Sequence, residues 1–217
     1  HLGMNDIRNL PKITMPITLE CSGNGRAKVS PRRYSMPWDY EAVGTSEWTG
    51  TPLAPLIERA KPHSEVIEIS FTGVDYGYDA GVGHYFGRSL TLDQLTDLEV
   101  LLVYGMNGQP LLPQHGAPLR IIVPGWYGMA SVKWLKKIEA LAEPFSGFQQ
   151  SQTYRFRESA GDQGQPITSI RVKSLMAPPG VPDWLSRNRC VEPGIITING
   201  KAWSGAGKKI TKVEFGS

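Results

Sequence analysis

Cysteine is nearly absent: Cys21 and Cys190 are the only two in a chain of 217 residues. So few exclude a disulfide-stapled scaffold, and no C-x-x-C pair exists to hold a structural zinc. A single Cys21–Cys190 disulfide stays open on composition. Long apolar runs are lacking as well. Stretches such as 100–104 and 121–123 fall far short of the ~20 residues of a membrane-spanning helix, so no membrane span is expected. Nor is there an excess of one charge. Against 23 basic residues stand 20 acidic ones, and the formal +3 is scattered rather than gathered in a stripe, which argues against a nucleic-acid partner. The opening HLGMNDIRNLPK carries no charged-then-apolar leader.

What is present suffices for a core: 40% of residues are hydrophobic, enough for one full core and a second small one. ITMPITLE (13–20) alternates apolar and polar with β-branched residues, which predicts a strand, and Pro16 points to an edge or a bulge. Thr51 reads as a helix N-cap with Pro52 in the first turn, followed by Leu53, Leu56, Ile57 and Ala60 at helical spacing. Residues 65–73 read as a strand, 89–99 as a helix, and 100–111 as a strand entering an Asn-Gly turn. A buried strand at 119–123 runs into a Pro-Gly turn. The alternating run 132–138 then suits strand or helix, with strand favoured. Gly, Pro and Gln at 161–166 and 177–182 mark a linker. Beyond it, two β-rich runs around a Gly-rich turn look like the first strands of an antiparallel sandwich. The expectation is an α+β protein divided into 1–160 and 161–217.

LECSGNGR (19–26) is the chemically suggestive stretch. Cys21 closes a strand, Gly23 and Gly25 let backbone N–H groups approach a bound group, Asn24 can take the same left-handed turn, and Arg26 offers a planar cation. A thiolate ligand and a structural cysteine both fit this pattern. There is no GK[ST] ending, so it is not a P-loop.

Four blocks in order, LECSGNGR, AVGTSEWTGTPLAPLIERA (42–60), HGAPLRIIVPGWYGMASVKWLKKIE (115–139) and GKAWSGAG (200–207), resemble the sulfite oxidase family of molybdenum enzymes in its bacterial form. The resemblance implies a mixed α/β molybdopterin-binding domain followed by the start of an immunoglobulin-like domain that mediates dimerisation. It implies further that the chain is an internal segment of a longer protein, lacking the N-terminal part of the first domain and the far part of the second. The implied cofactor is molybdenum-molybdopterin, with Cys21 as the metal ligand. Arg26 falls at a substrate-oxyanion position, and His115, Arg120, Ser131 and Lys133 fall where the family contacts the pterin and its phosphate. Tyr154, in FQQSQTYRF, is the match to a tyrosine beside the metal. For His115 a structural turn residue, for Lys133 a solvated strand edge and for Tyr154 a core phenol remain the alternatives. Trp48, Trp134 and Trp203 read as packing residues.

The implied activity is oxidation of sulfite to sulfate by oxygen-atom transfer. A c-type cytochrome is the implied electron acceptor and the periplasm the implied location. Nitrate reduction, chemistry on another small oxo compound, or a non-catalytic scaffold are the alternatives.

Overall fold

The computed structural model describes residues 2–216 other than 32, 33, 160, 184, 187 and 206. Two residues of the Pro- and Arg-rich stretch 30–37, Arg32 and Arg33, therefore lie outside the described residues. In chain order the body consists of α1 (Met4–Arg8), β1 (Ile13–Glu20), β2 (Val43–Pro52), α2 (Ala54–Ala60), β3 (Glu68–Asp79), β4 (Val82–Thr91), α3 (Leu92–Asp97), β5 (Leu101–Met106), β6 (Gln109–Pro110), β7 (Arg120–Ile122) and β8 (Leu135–Leu141). Strands dominate and the helices are short.

Two sheets form this body. One has the order β1-β2-β5-β6 with β7 also on β5; the other has the order β4-β3-β8. β1 has a single neighbour, so Pro16 costs no ladder hydrogen bond on its free side. The apolar run of β5 is explained by burial on both faces. Leu102 packs with Ile69 and Phe71 of β3 and Leu90 of β4, whereas Leu101 and Val103 pack with Ile17 and Trp48 on the opposite face.

Three boundaries differ from the sequence reading. Thr51 and Pro52 pair with Leu102 and Leu101, so they end β2 rather than start a helix, and α2 begins one residue after the fully buried Leu53. The ladder and the burial of Leu53 outweigh the local capping signal. Ser89 and Leu90 likewise stay in β4, paired with Ser70 and Ile69. The helix there starts at a capping box in which Thr91 Oγ1 accepts from the Gln94 amide at 3.3 Å and Gln94 Oε1 from the Thr91 amide at 3.0 Å. Of the ambiguous run 132–138, the part from Leu135 onward resolves as strand and continues to Leu141, because pairing from Glu68↔Leu141 to Gly73↔Leu135 places β8 on the free edge of β3.

After a π-helical turn, Gln149–Thr153, only strand pairs remain. They are β9 (Arg155–Phe156) with β10 (Gln165–Pro166), β11 (Lys173–Ala177) with β14 (Asn199–Trp203), and β12 (Val181–Pro182) with β13 (Arg189–Cys190). The first β-rich run near the end thus pairs backwards across the expected linker, and the second, at 210–215, forms no strand. Cys21 and Cys190 are both free thiols, so the disulfide alternative is not adopted. Among the described residues no helix is long and apolar enough to cross a membrane.

Candidate active site

The end of β1 delivers Cys21 to a turn whose conformation is set by its glycines. Gly25 has φ 85°, a left-handed geometry that a side chain would strain, and a methyl on Gly23 would run into the Arg26 guanidinium folded over it. Gly23 donates its amide to Cys21 Sγ at 3.4 Å. Asn24 does not take the expected left-handed turn. Its side chain bridges instead, donating to Glu20 Oε1 at 3.0 Å and accepting from the Ala42 amide at 3.1 Å.

Cys21 opens onto a cavity of about 370 Å³ that is also lined by Arg120, Ser131, Lys133 and Tyr154, along with Asp75, Phe86 and Met129. Five residues drawn from distant parts of the sequence therefore share one wall. Arg120, at the start of β7, is 5% exposed and donates to three backbone carbonyls: His115 at 2.8 Å, Ser131 at 3.0 Å and Ile121 at 3.5 Å. Its guanidinium lies 5.0 Å from the Trp48 ring centroid. Burial brings its pKa down to about 10. Lys133 donates to the Gln114 carbonyl at 3.1 Å and sits 4.0 Å above the Trp134 ring. Burial lowers its pKa, the charge of Arg120 lowers it further, and Asp75 opposes both. Ser131 is buried, and its hydroxyl accepts from the Val123 amide at 3.1 Å. For Tyr154, burial and then the Cys21 charge raise the pKa, against the pull of Arg88 and Arg26.

Arg26 and His115 lie outside this wall. Arg26 is turned to Ser35 Oγ at 2.7 Å and the Met36 carbonyl at 3.1 Å, although its charge still reaches Tyr154. His115 borders a separate cavity of about 490 Å³ beside Met106 and Leu111, and its carbonyl accepts from Arg120. The tryptophans do more than pack: Trp48 donates to the Ile17 carbonyl at 3.3 Å and Trp134 to the Pro113 carbonyl at 2.7 Å.

The sequence reading missed Glu20, Asp75, Phe86 and Arg88. Glu20 is 1% exposed and accepts from Asn24, from Lys173 Nζ at 2.7 Å and from Trp203 Nε1 at 2.8 Å. It fastens the β11–β14 pair to the residue before Cys21. Asp75 follows a register shift in β3, and the signal for it is Gly73 inside a strand. A methyl on Gly73 would collide with Asp75 Oδ1 and come within 2.8 Å of the Lys133 carbonyl oxygen. Arg88 is buried, donates to the Gln149 and Ile167 carbonyls at 3.3 and 3.4 Å, and lies 5.8 Å from the Tyr154 ring.

Three features define what this cavity can hold. Its size is that of a cofactor site. Its cations, Arg120 and Lys133, form no ion pair with any described carboxylate. Among the described residues no group of three His, Cys, Asp or Glu side chains is placed to bind a metal, so a metal at Cys21 must bring further ligands with it. The model of the oxidoreductase molybdopterin-binding domain matches residues 1–149. The chain belongs to the sulfite oxidase family of molybdopterin oxidoreductases. Its cofactor is molybdenum-molybdopterin.

Relatives within and around this family agree. The sulfite oxidase of Arabidopsis thaliana is 35% identical over 232 residues, covering 99% of this chain and 57% of the relative. The mitochondrial sulfite oxidase of Homo sapiens is 31% identical over 226 residues, covering 98% and 40%. An NADH nitrate reductase of Ulva prolifera is 32% identical over 240 residues, covering 99% and 27%. The chain thus spans little more than half of the first of these relatives and less of the others. The sulfane dehydrogenase SoxCD of Paracoccus pantotrophus shares the fold, with a TM-score of 0.69, 24% identity and coverage of 81% of this chain and 43% of its own. The residues fit the family's cofactor: a soft sulfur ligand with an amide donor, and cations for an anionic phosphate.

Proposed function

We propose that the complete protein oxidises sulfite to sulfate at a molybdenum centre ligated by Cys21. The observation that carries this reading is Cys21, with an amide on its sulfur, facing a cavity shared with the buried Arg120 and the half-buried Lys133, neither of which is ion-paired to a described carboxylate. The molybdenum of the cofactor, when bound, would accept two electrons and supply one oxygen atom. Cys21 fixes that group in one geometry. Arg120 and Lys133 hold its anionic portion, and in doing so relieve the repulsion that lowers the lysine's pKa. Ser131 offers a hydroxyl to the same portion. Tyr154, on the same cavity as Cys21 and with its phenol kept protonated by burial, would be a hydrogen-bond donor to the bound group. Arg26 attracts the substrate dianion, and His115 acts on the cofactor through the carbonyl that orients Arg120.

The sulfite oxidases among the relatives favour sulfite, and the nitrate reductases make nitrate the competing substrate. The β11–β14 pair is read as the beginning of an immunoglobulin-like dimerisation domain, and a periplasmic c-type cytochrome as the acceptor.

The test is molybdenum per chain and sulfite-dependent acceptor reduction in the full-length parent. Stoichiometric metal and turnover are expected, with both turnover and the sulfur-ligand signature lost in Cys21→Ser while the fold persists. Nitrate reduction without sulfite oxidation would shift the substrate. A parent carrying no molybdenum would refute the reading.

A further inference from the structure

Arg88, on β4, is among the largest fully buried side chains of the protein, at 2% exposed. It forms no ion pair with any described carboxylate, and its Nε has no hydrogen-bond partner. Burial brings its pKa down to about 10, which still leaves it a cation at neutral pH. A buried charge without a counterion costs stability, and an apolar side chain of similar length would avoid that cost. Packing alone therefore does not account for an arginine at this position.

The contacts that Arg88 does make converge on one residue. Tyr154 closes the π-helical turn: its amide donates to the Gln149 carbonyl at 3.0 Å, and its carbonyl accepts from the Ile167 amide at 3.0 Å. Arg88 donates to the carbonyls of these same two residues, from Nη1 to Gln149 at 3.3 Å and from Nη2 to Ile167 at 3.4 Å. Its guanidinium lies 5.8 Å from the Tyr154 ring centroid. Both backbone partners of Tyr154 are thus gripped by one planar fork, a geometry that a lysine ammonium does not reproduce.

Tyr154 needs that support. It lines the cavity beside Cys21, yet no described residue from 149 to 167 is fully buried, and the strands there, β9 and β10, are two residues each. Such a segment has no core of its own to fix a side chain. A donor aimed at a reacting group must be held closely, since a misplacement of about 1 Å is enough to cost on the order of a hundredfold in rate. The cation beside the ring also draws the phenol pKa down against burial, which makes the hydroxyl a better donor.

We propose that Arg88 is the positioning residue of Tyr154: by bridging the Gln149 and Ile167 carbonyls it holds the phenol at the cavity wall as a hydrogen-bond donor to an oxyanion. The proposal rests on the sulfite reading and on the donor role given to Tyr154.

The test uses the metal-loaded parent with sulfite as substrate and ferricyanide as acceptor. Arg88→Met is expected to lower kcat/KM about thirtyfold, but by no more than about twofold when Tyr154 is already Phe, because its effect passes through the phenol hydroxyl. Arg88→Lys, which keeps the charge without the fork, falls between wild type and Arg88→Met. In the metal-free parent labelled with fluorotyrosine, the fluorine resonance missing from Tyr154→Phe should move or broaden in Arg88→Met.

Equal losses in the two backgrounds overturn the proposal, as does wild-type turnover in Arg88→Met or Arg88→Lys, or an unmoved fluorine resonance. Should Arg88→Met fail to fold or to load metal, Arg88→Lys in the same two backgrounds, with its fluorine resonance, decides by these criteria. A metal-loaded wild-type parent inert towards sulfite brings down the functional reading, and the clamp on Tyr154 then stands or falls on the resonance of the metal-free protein. An active parent with additive variants brings down the role of Arg88 alone.

Discussion

Phe71 and Phe215 are the same side chain in opposite circumstances: the first is 0% exposed between two sheets, the second 65% exposed in a segment without strands. Between β1 and β8, strands are covered by apolar clusters on one or both faces, and the site residues hang from that frame. From residue 157 onward the strands come only in pairs, which bury too little to stand alone. Glu20 joins these regions, binding Lys173 and Trp203 one residue before Cys21. The C-terminal segment therefore borrows its order from the active-site end of the body.

The largest test of this contrast is Phe71→Ala, expected to cost about 3–5 kcal/mol in denaturant unfolding, whereas Phe215→Ala should stay within about 0.5 kcal/mol. Comparable losses would mean that the segment packs like the body. Next is the join. Glu20→Gln removes the charge held by Lys173 and should cost about 1–3 kcal/mol, with amide exchange rising in β11 and β14 well before it rises in β3. Uniform exchange across the chain would show that Glu20 is no tie.

A smaller effect concerns pH. Because the folded-state pKa of Asp75 is raised above 3.8, the folded state holds its proton more tightly, and stability falls as pH rises through the interval above 3.8. Asp75→Asn should therefore raise the Tm of the metal-free protein at neutral pH, with the gain vanishing in acid below 3.8. A gain independent of pH would point to packing instead. The least effect is expected from Cys190→Ser, since Cys190 is free and exposed. Thiol titration should find two reactive groups, Cys190 the faster, and a single slow one would contradict this arrangement.

Local patterns were legible wherever one rule acted without competition. The period of two in ITMPITLE, the Asn-Gly turn after β5 and the apolar run of β5 each gave the element now seen. They failed where a tertiary pairing overrode a local signal, as at Thr51 and Ser89. Around the cavity the same limit applies. The tight turn after Cys21 was readable from its glycines. Glu20, by contrast, reads as the last polar residue of an edge strand, and nothing local shows that two partners more than 150 residues away will bury it.

The sequence by itself determined the strand periods, the glycine-dependent turn after Cys21 and, through four ordered blocks, the family. Tertiary structure alone decided that Arg120, Ser131, Lys133 and Tyr154 share a wall with Cys21 while Arg26 and His115 do not. Spacing along a chain sets what lies on one face of a strand. Which faces meet, and hence which charges lose their water together, follows only from how the sheets pack.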